Sequence, residues 1–284
     1  MSLPLIRRQG TPRQAGVGTG PASIAQAHCD AARKRLLSSK GDPFVYAEWK
    51  PVLFLHYLVA PDVLRPIIPS EFELDTYRGK ACLSLVSVSM RRFRPSRLLS
   101  PAWLLRPIAE QRCLNLRTYV RFGPERGAFF IWGWLSRPGG LPFPSSIFNL
   151  TYEFADIAYA HYLGPGNLCG SVRVHPALRF AYRSSVNPRP AFVECAPGSL
   201  AEFALEQYSG FFSRNGQAHL FRIWHPPWMQ TPIEVMVEHD SLIKSKFPWF
   251  EQAKLAGANF ANGFPKVWLG RAYPVNAAAY QGGC

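Results

Sequence analysis

Apolar and polar residues alternate in short blocks along most of this chain, and proline and glycine separate the blocks. Blocks of this length bounded by turn residues predict strands. Val45 to His56 reads as one strand. Phe72 to Tyr77 and Ala81 to Phe93 read as a hairpin around Arg78-Gly79-Lys80. In its second arm Ser84, Ser87 and Ser89 interrupt strict alternation, which predicts a β-bulge. Leu114 to Phe122 and Ala128 to Ser136 form a second hairpin, and further strands are expected at 171–174, 180–184, 219–224, 234–238 and 266–273. Helical spacing occurs over Ser145 to Tyr162, with Ile147, Leu150, Phe154, Ile157 and Ala158 on one face. A second helix is expected over Ser199 to Phe212, capped by Ser199 with Glu202 at the capping-box position. Residues 94–112 form an irregular segment rich in Arg and Pro, of the kind that often carries function in a compact domain.

The first 40 residues differ, with seven Lys/Arg against one acid, Asp30, and a Gly/Pro/Thr-rich stretch from Gly10 to Gly20. A short helix is expected from Ser23 to Ser38. The expected organisation is a basic, flexible arm over 1–43 and one folded domain over 44–284.

Composition supports a β-rich fold. The 26 Pro and 22 Gly argue against long helices, while 48% apolar residues can fill a sizeable core. The net charge of +14 favours an anionic partner. The six cysteines are scattered, with no Cys-x-x-Cys pair and no histidine at ligand spacing, so free thiols in a reducing compartment and no metal are expected. No cofactor is expected. No apolar run reaches the ~20 residues of a membrane span, and the start lacks the order of a secretory signal, so the cytoplasm is the expected location. Arg91, Arg92, Arg94 and Arg97 interleave with Phe93, but no recognised nucleic-acid motif accompanies them, so no specific nucleic acid is expected. A homo-oligomer is left open.

Four stretches are informative together: Trp49-x-x-x-Leu53-Phe54-Leu55-His56 followed by Pro61; Ile68-Pro69 followed by Leu74-Asp75-Thr76-Tyr77-x-Gly79; Asn115-Leu116-Arg117-Thr118-Tyr119-Val120; and His225-Pro226-Pro227-Trp228. In this order the chain resembles the YqjF-like family (domain of unknown function 2071) over roughly residues 44–275. The resemblance implies an acetoacetate-decarboxylase-like α+β fold, mostly β: a twisted sheet or double barrel with flanking helices, enclosing a cavity. Cys113-Leu114 stands where family members usually carry an acid, and residues 140–175 match poorly.

The enzyme for which that fold is named uses adjacent lysines to form a Schiff base. This chain has no Lys-Lys pair; its lysines are 34, 40, 50, 80, 244, 246, 254 and 266. An imine mechanism is therefore not expected, with Lys266 on a strand the one lysine to watch. Period two puts Asn115, Arg117 and Tyr119 on one face of their strand. A guanidinium between Asn and Tyr suits a carboxylate or enolate; the alternative is a structural Arg paired with an acid such as Asp75. His225, held by Pro226-Pro227, is the candidate acid or base, with a hydrogen-bonded turn histidine as the alternative. His56 and Arg183 are further substrate-binding candidates. Two functions remain open. One is an enzyme acting on a small carboxylate or enolisable carbonyl compound without a Schiff-base lysine. The other is a non-catalytic protein that binds a small organic anion.

Overall fold

Where the backbone needs a break, the residues provide one. Lys50-Pro51 splits the single strand expected over 45–56 into β1 (Val45–Trp49) and β2 (Val52–Val59), because proline donates no ladder bond. The computed structural model describes residues 23–96, 110–136, 151–161, 167–185 and 191–276. The short β3 (Glu73–Leu74) and β4 (Thr76–Tyr77) lead into β5 (Lys80–Pro95). The β4–β5 turn sets Arg78 at φ 49° and Gly79 at φ 76°, the left-handed pair that a tight hairpin requires. β6 (Glu110–Phe122) and β7 (Glu125–Ser136) form the second expected hairpin. Most of the irregular 94–112 segment lies outside the described residues.

The remaining strands are β8 (Tyr152–Ala160), β9 (Asn167–His175), β10 (Leu178–Ser185), β11 (Ser209–Arg214) and β12 (Gln217–Trp224). They are followed by β13 (Gln230–Pro232), β14 (Met236–Asp240), β15 (Lys254–Ala261), β16 (Phe264–Leu269) and β17 (Tyr273–Pro274). Hydrogen-bonded pairing runs β1–β5–β6–β7–β11–β12–β16 and returns to β1, a closed barrel in which only β7–β11 is parallel. The same β5–β6–β7 strands belong to a second layer. There β15 and β2 extend one side, and β8, β9, β10 and β14 the other.

This sharing explains why β5 defeats a one-face reading. Cys82, Val86 and Val88 face the barrel core, and Ala81, Leu83 and Leu85 face the other core. Both faces are covered, so Ser84 and Ser87 are buried rather than marking a solvent side. The bulge expected near them is absent: register is unbroken from Ala81 to Ser87 against β2 and from Leu83 to Arg91 against β6. The irregularity comes later, where Arg92 takes φ 52° and β1 shifts register opposite it.

Two expected helices give way to strands. Over 145–162, the described part is β8, parallel to β7 and antiparallel to β9; residues 145–150 and 162 lie outside the described residues. Ala155 and Ile157 are buried while Phe154 is 54% exposed, which is strand alternation. Over 199–212, only Leu200–Leu205 is helical; Tyr208 lies in the connection that follows, and Phe211 is in β11. Ser199 Oγ accepts from Glu202 N as expected of the cap, while Glu202 Oε2 accepts from Gly198 N, one residue before the Ser199 N–H that a capping box would use. The helix stops because β11 is claimed by two neighbours, β7 and β12. Strand β15, which pairs with β2, has no counterpart among the expected elements.

Among the described residues the α-helices are α1 (Ile24–Ser38), α2 (Pro61–Leu64), α3 (Leu200–Leu205) and α4 (Ser241–Lys246). None is long and apolar enough to cross a membrane. Helix α1 lies where the sequence suggested a loose arm, and it is docked. Ala25, Cys29, Ala32 and Leu36, at helical spacing, are buried. Arg35 meets Glu125, and Arg33 lies over Trp224 and Trp268. Residues 1–22 lie outside the described residues.

Candidate active-site cavity

The barrel holds a cavity of about 100 Å³, several times the room one water needs. Its wall comes from alternate residues of strands whose register is fixed. Along β5, Val86 and Val88 stand opposite Phe54 and Asn115 on the neighbouring strands at one level, and beside Cys113 at the next. Met90 is level with Trp49. Phe130, Tyr152, Phe221, Ile223 and Leu269 close the far side. Most of these are apolar; Arg117 and Asn115 supply most of the polarity.

Alternation on β6 does place Asn115, Arg117 and Tyr119 together. Arg117 and Asn115 line the cavity, and Tyr119 sits beside Arg117, its ring 5.6 Å from the guanidinium carbon. The Phe54 ring flanks the guanidinium at the same distance. Arg117 Nη2 donates to the Ala204 carbonyl at 2.8 Å, at the C-terminal end of α3, where the helix dipole is negative. Tyr119 Oη donates to the same carbonyl at 3.0 Å. Arg117 Nε is buried with no hydrogen-bond partner. No carboxylate among the described residues pairs with Arg117. Asp75, the alternative partner, is taken by Arg121 and Arg126.

Behind Arg117 lies a polar chain. Ser84 Oγ is 2.6 Å from Tyr119 Oη and 2.8 Å from His56 Nδ1. His56 is fully buried within β2, not at a strand end, and does not line the cavity. Burial first, then the nearby Arg117 charge, pull its pKa down to about 3. Burial pushes Tyr119 up to about 12.

His225 is also behind the wall. Its Nδ1 donates to the Pro226 carbonyl at 2.7 Å. Its ring stacks on Tyr208 and Phe264 at 4.9 and 5.0 Å, with Trp228 tilted against it. Burial lowers its pKa to about 4, Arg117 adding to the effect and the Pro226 bond opposing it. The geometry is that of the hydrogen-bonded turn histidine. Arg183 does not join the group: it is exposed on β10 and ion-paired with Glu238, because its strand belongs to the other layer.

None of the eight lysines lines the cavity. Lys266 is exposed, its Nζ 4.6 Å from the Tyr46 ring centroid on the outer face. Several wall residues had no sequence signal. Tyr152 fell in the misread helix, and Phe221 and Ile223 only read as strand. Gly133 carries a subtler one: a Cβ there would come within 2.2 Å of the Tyr152 ring, so the glycine admits that ring to the wall.

A family model described as an uncharacterized conserved protein, domain of unknown function 2071, matches residues 46–257. The uncharacterized protein YqjF of Bacillus subtilis (strain 168) is 28% identical over 181 residues, 64% of this chain and 72% of that protein. Among solved structures, the enduracididine biosynthesis enzyme MppR complexed with pyruvate superposes with TM-score 0.59 at 15% identity, over 85% of this chain and 94% of that one. An acetoacetate decarboxylase-like enzyme from Sphingomonas wittichii RW1 gives 0.59 at 12%, over 83% and 94%. Acetoacetate decarboxylase from Legionella pneumophila gives 0.55 at 14%, over 86% and 95%. At these identities the likeness is one of fold: mostly β, acetoacetate-decarboxylase-like.

Proposed function

We propose that this chain, which belongs to the YqjF-like family (domain of unknown function 2071), binds a small organic anion in the barrel cavity. The ligand is a carboxylate or an enolisable carbonyl compound, anchored by Arg117 and Asn115. One observation carries the reading. Arg117 stands in a largely apolar wall with no acid partner among the described residues, and its Nε is buried without a hydrogen bond. A partly buried charge gains from a counter-charge, and a bound oxyanion supplies one. The solved neighbour complexed with pyruvate, a carboxylate that also carries a carbonyl, supports this choice of ligand.

Turnover is the second reading, favoured by the enzymes among the solved neighbours. The chemistry this wall supports is stabilisation of a developing oxyanion by Arg117, not imine formation. His225 and His56 are held neutral and Tyr119 protonated at neutral pH, so none of the three is poised to exchange a proton there. Binding without turnover is the reading the geometry supports best.

The test is calorimetric titration of the full chain with pyruvate and acetoacetate, alongside Arg117→Met. Saturable binding that the variant loses supports the reading. Unchanged binding by folded Arg117→Met overturns it. Borohydride reduction in the presence of either acid should leave the mass unchanged; an adduct on a lysine would replace this reading with imine chemistry.

A further inference from the structure

The cavity is graded along its length, and the grading names a ligand more specific than a small anion. The barrel-facing positions of β5 and its two neighbours form successive levels. At the first, Ser84 stands between His56 and Arg117. At the second, Val86 stands between Phe54 and Asn115. At the third, Val88 is level with Cys113, and Val52 is on the same cavity wall. At the last, Met90 is level with Trp49. Phe93 continues the wall beyond. Beyond the Asn115 level the lining side chains are apolar apart from Trp49, whose buried indole Nε1 has no hydrogen-bond partner. From Val86 to Met90 is four residues, about 13 Å of strand. Ile223 and Leu269 add further apolar surface to the wall.

We infer that the cavity takes an amphipathic carboxylate, with its head on Arg117 and Asn115 and a straight aliphatic or aryl-alkyl tail along Val86, Val88 and Met90. This rests on the binding reading above and goes beyond it, since a two- or three-carbon acid would leave the apolar levels unused. A charged tail is disfavoured by the same wall, whose side chains beyond Asn115 offer it only the neutral Trp49 Nε1 among the described residues. The tail gains from leaving water in proportion to its apolar surface.

The experiment is titration of the full chain with straight-chain acids from propanoate to octanoate and with 3-phenylpropanoate. Affinity should rise about threefold to fourfold per added methylene, the fold-change for ~0.8 kcal/mol per buried CH₂. Val88→Phe narrows the middle level and should collapse the octanoate-to-propanoate affinity ratio. Met90→Ala opens the last level and should move the optimum to longer acids, which keeps the test informative if Val88→Phe does not fold. Short acids binding as well as long ones, with a ratio indifferent to both variants, would overturn the amphipathic assignment and leave the anion site standing. Failure of every acid to bind would overturn both.

Discussion

Arg117→Met separates a guanidinium kept for a ligand from one kept for the fold. The substitution removes the bond to the Ala204 carbonyl and the two ring contacts at 5.6 Å. A hydrogen bond involving a charged group contributes about 1.5–3 kcal/mol, and each ring contact ~0.5–2 kcal/mol. Against these stands relief of a partly buried charge that has no carboxylate, a term of several kcal/mol in the other direction. Methionine refills the space of the aliphatic stem. The terms oppose each other at similar size, so the ligand-free protein should change stability by no more than ~1.5 kcal/mol.

Arg222→Met is the control. Arg222 donates to Glu125 at 2.9 Å with both side chains only 10% exposed, and its loss leaves Glu125 the half-exposed Arg35 as its cation and the Ser209 hydroxyl at 3.3 Å. Breaking such a buried pair costs about 3–5 kcal/mol, here toward the lower end because Arg35 remains. Urea unfolding of the three proteins without ligand reads the difference, provided the slopes agree. If Arg117→Met falls as far as Arg222→Met, Arg117 is a structural charge and the ligand argument fails.

Three further outcomes follow from particular contacts. His56, His161 and His225 have pKa values lowered to about 3, 4 and 4, mainly by burial. The unfolded chain binds their protons first, so stability is full above pH ~6.5 and falls by up to ~1.4 kcal/mol per pH unit per histidine toward pH 4. Glu206, whose pKa burial raises, opposes this fall, and stability that stays level between pH 7 and 5 would contradict it. Gly133→Ala would press a methyl to within 2.4 Å of two Tyr152 ring carbons and 3.0 Å of Asn115 Oδ1. A loss of about 1–3 kcal/mol in thermal unfolding is expected, together with weakened anion binding, and a neutral effect would mean the ring is free to move. Leu36→Ala, at a fully buried position of α1, should cost about 2–5 kcal/mol and expose Trp224 and Trp268 to solvent, seen as a red shift in fluorescence; no effect would return α1 to a detached arm.

The local signals in the chain were sufficient for whatever depends on neighbours in sequence. The Arg78-Gly79 turn, the Ser199 cap and the shared face of Asn115, Arg117 and Tyr119 are each decided within a few residues, by left-handed φ, a reachable backbone N–H and the two-residue repeat of a strand. The ordered motifs also pointed to the family and its fold. What the chain could not disclose is what covers each face. A strand used by two cores, such as β5, loses the polar side that would mark its orientation, so Ser84 and Ser87 read as a bulge. The 152–160 segment has helical spacing of apolar residues, yet pairing with β7 and β9 makes it a strand. The acid that would have made Arg117 structural, Asp75, is 42 positions away in sequence, and only the packed barrel shows that it serves Arg121 and Arg126 instead. Likewise only the packed barrel puts His225 against Trp49 and Trp228, off the cavity lining, and Arg183 on the outer surface. Alternation says which residues share a face; tertiary pairing decides whether that face meets a core, a cavity or water.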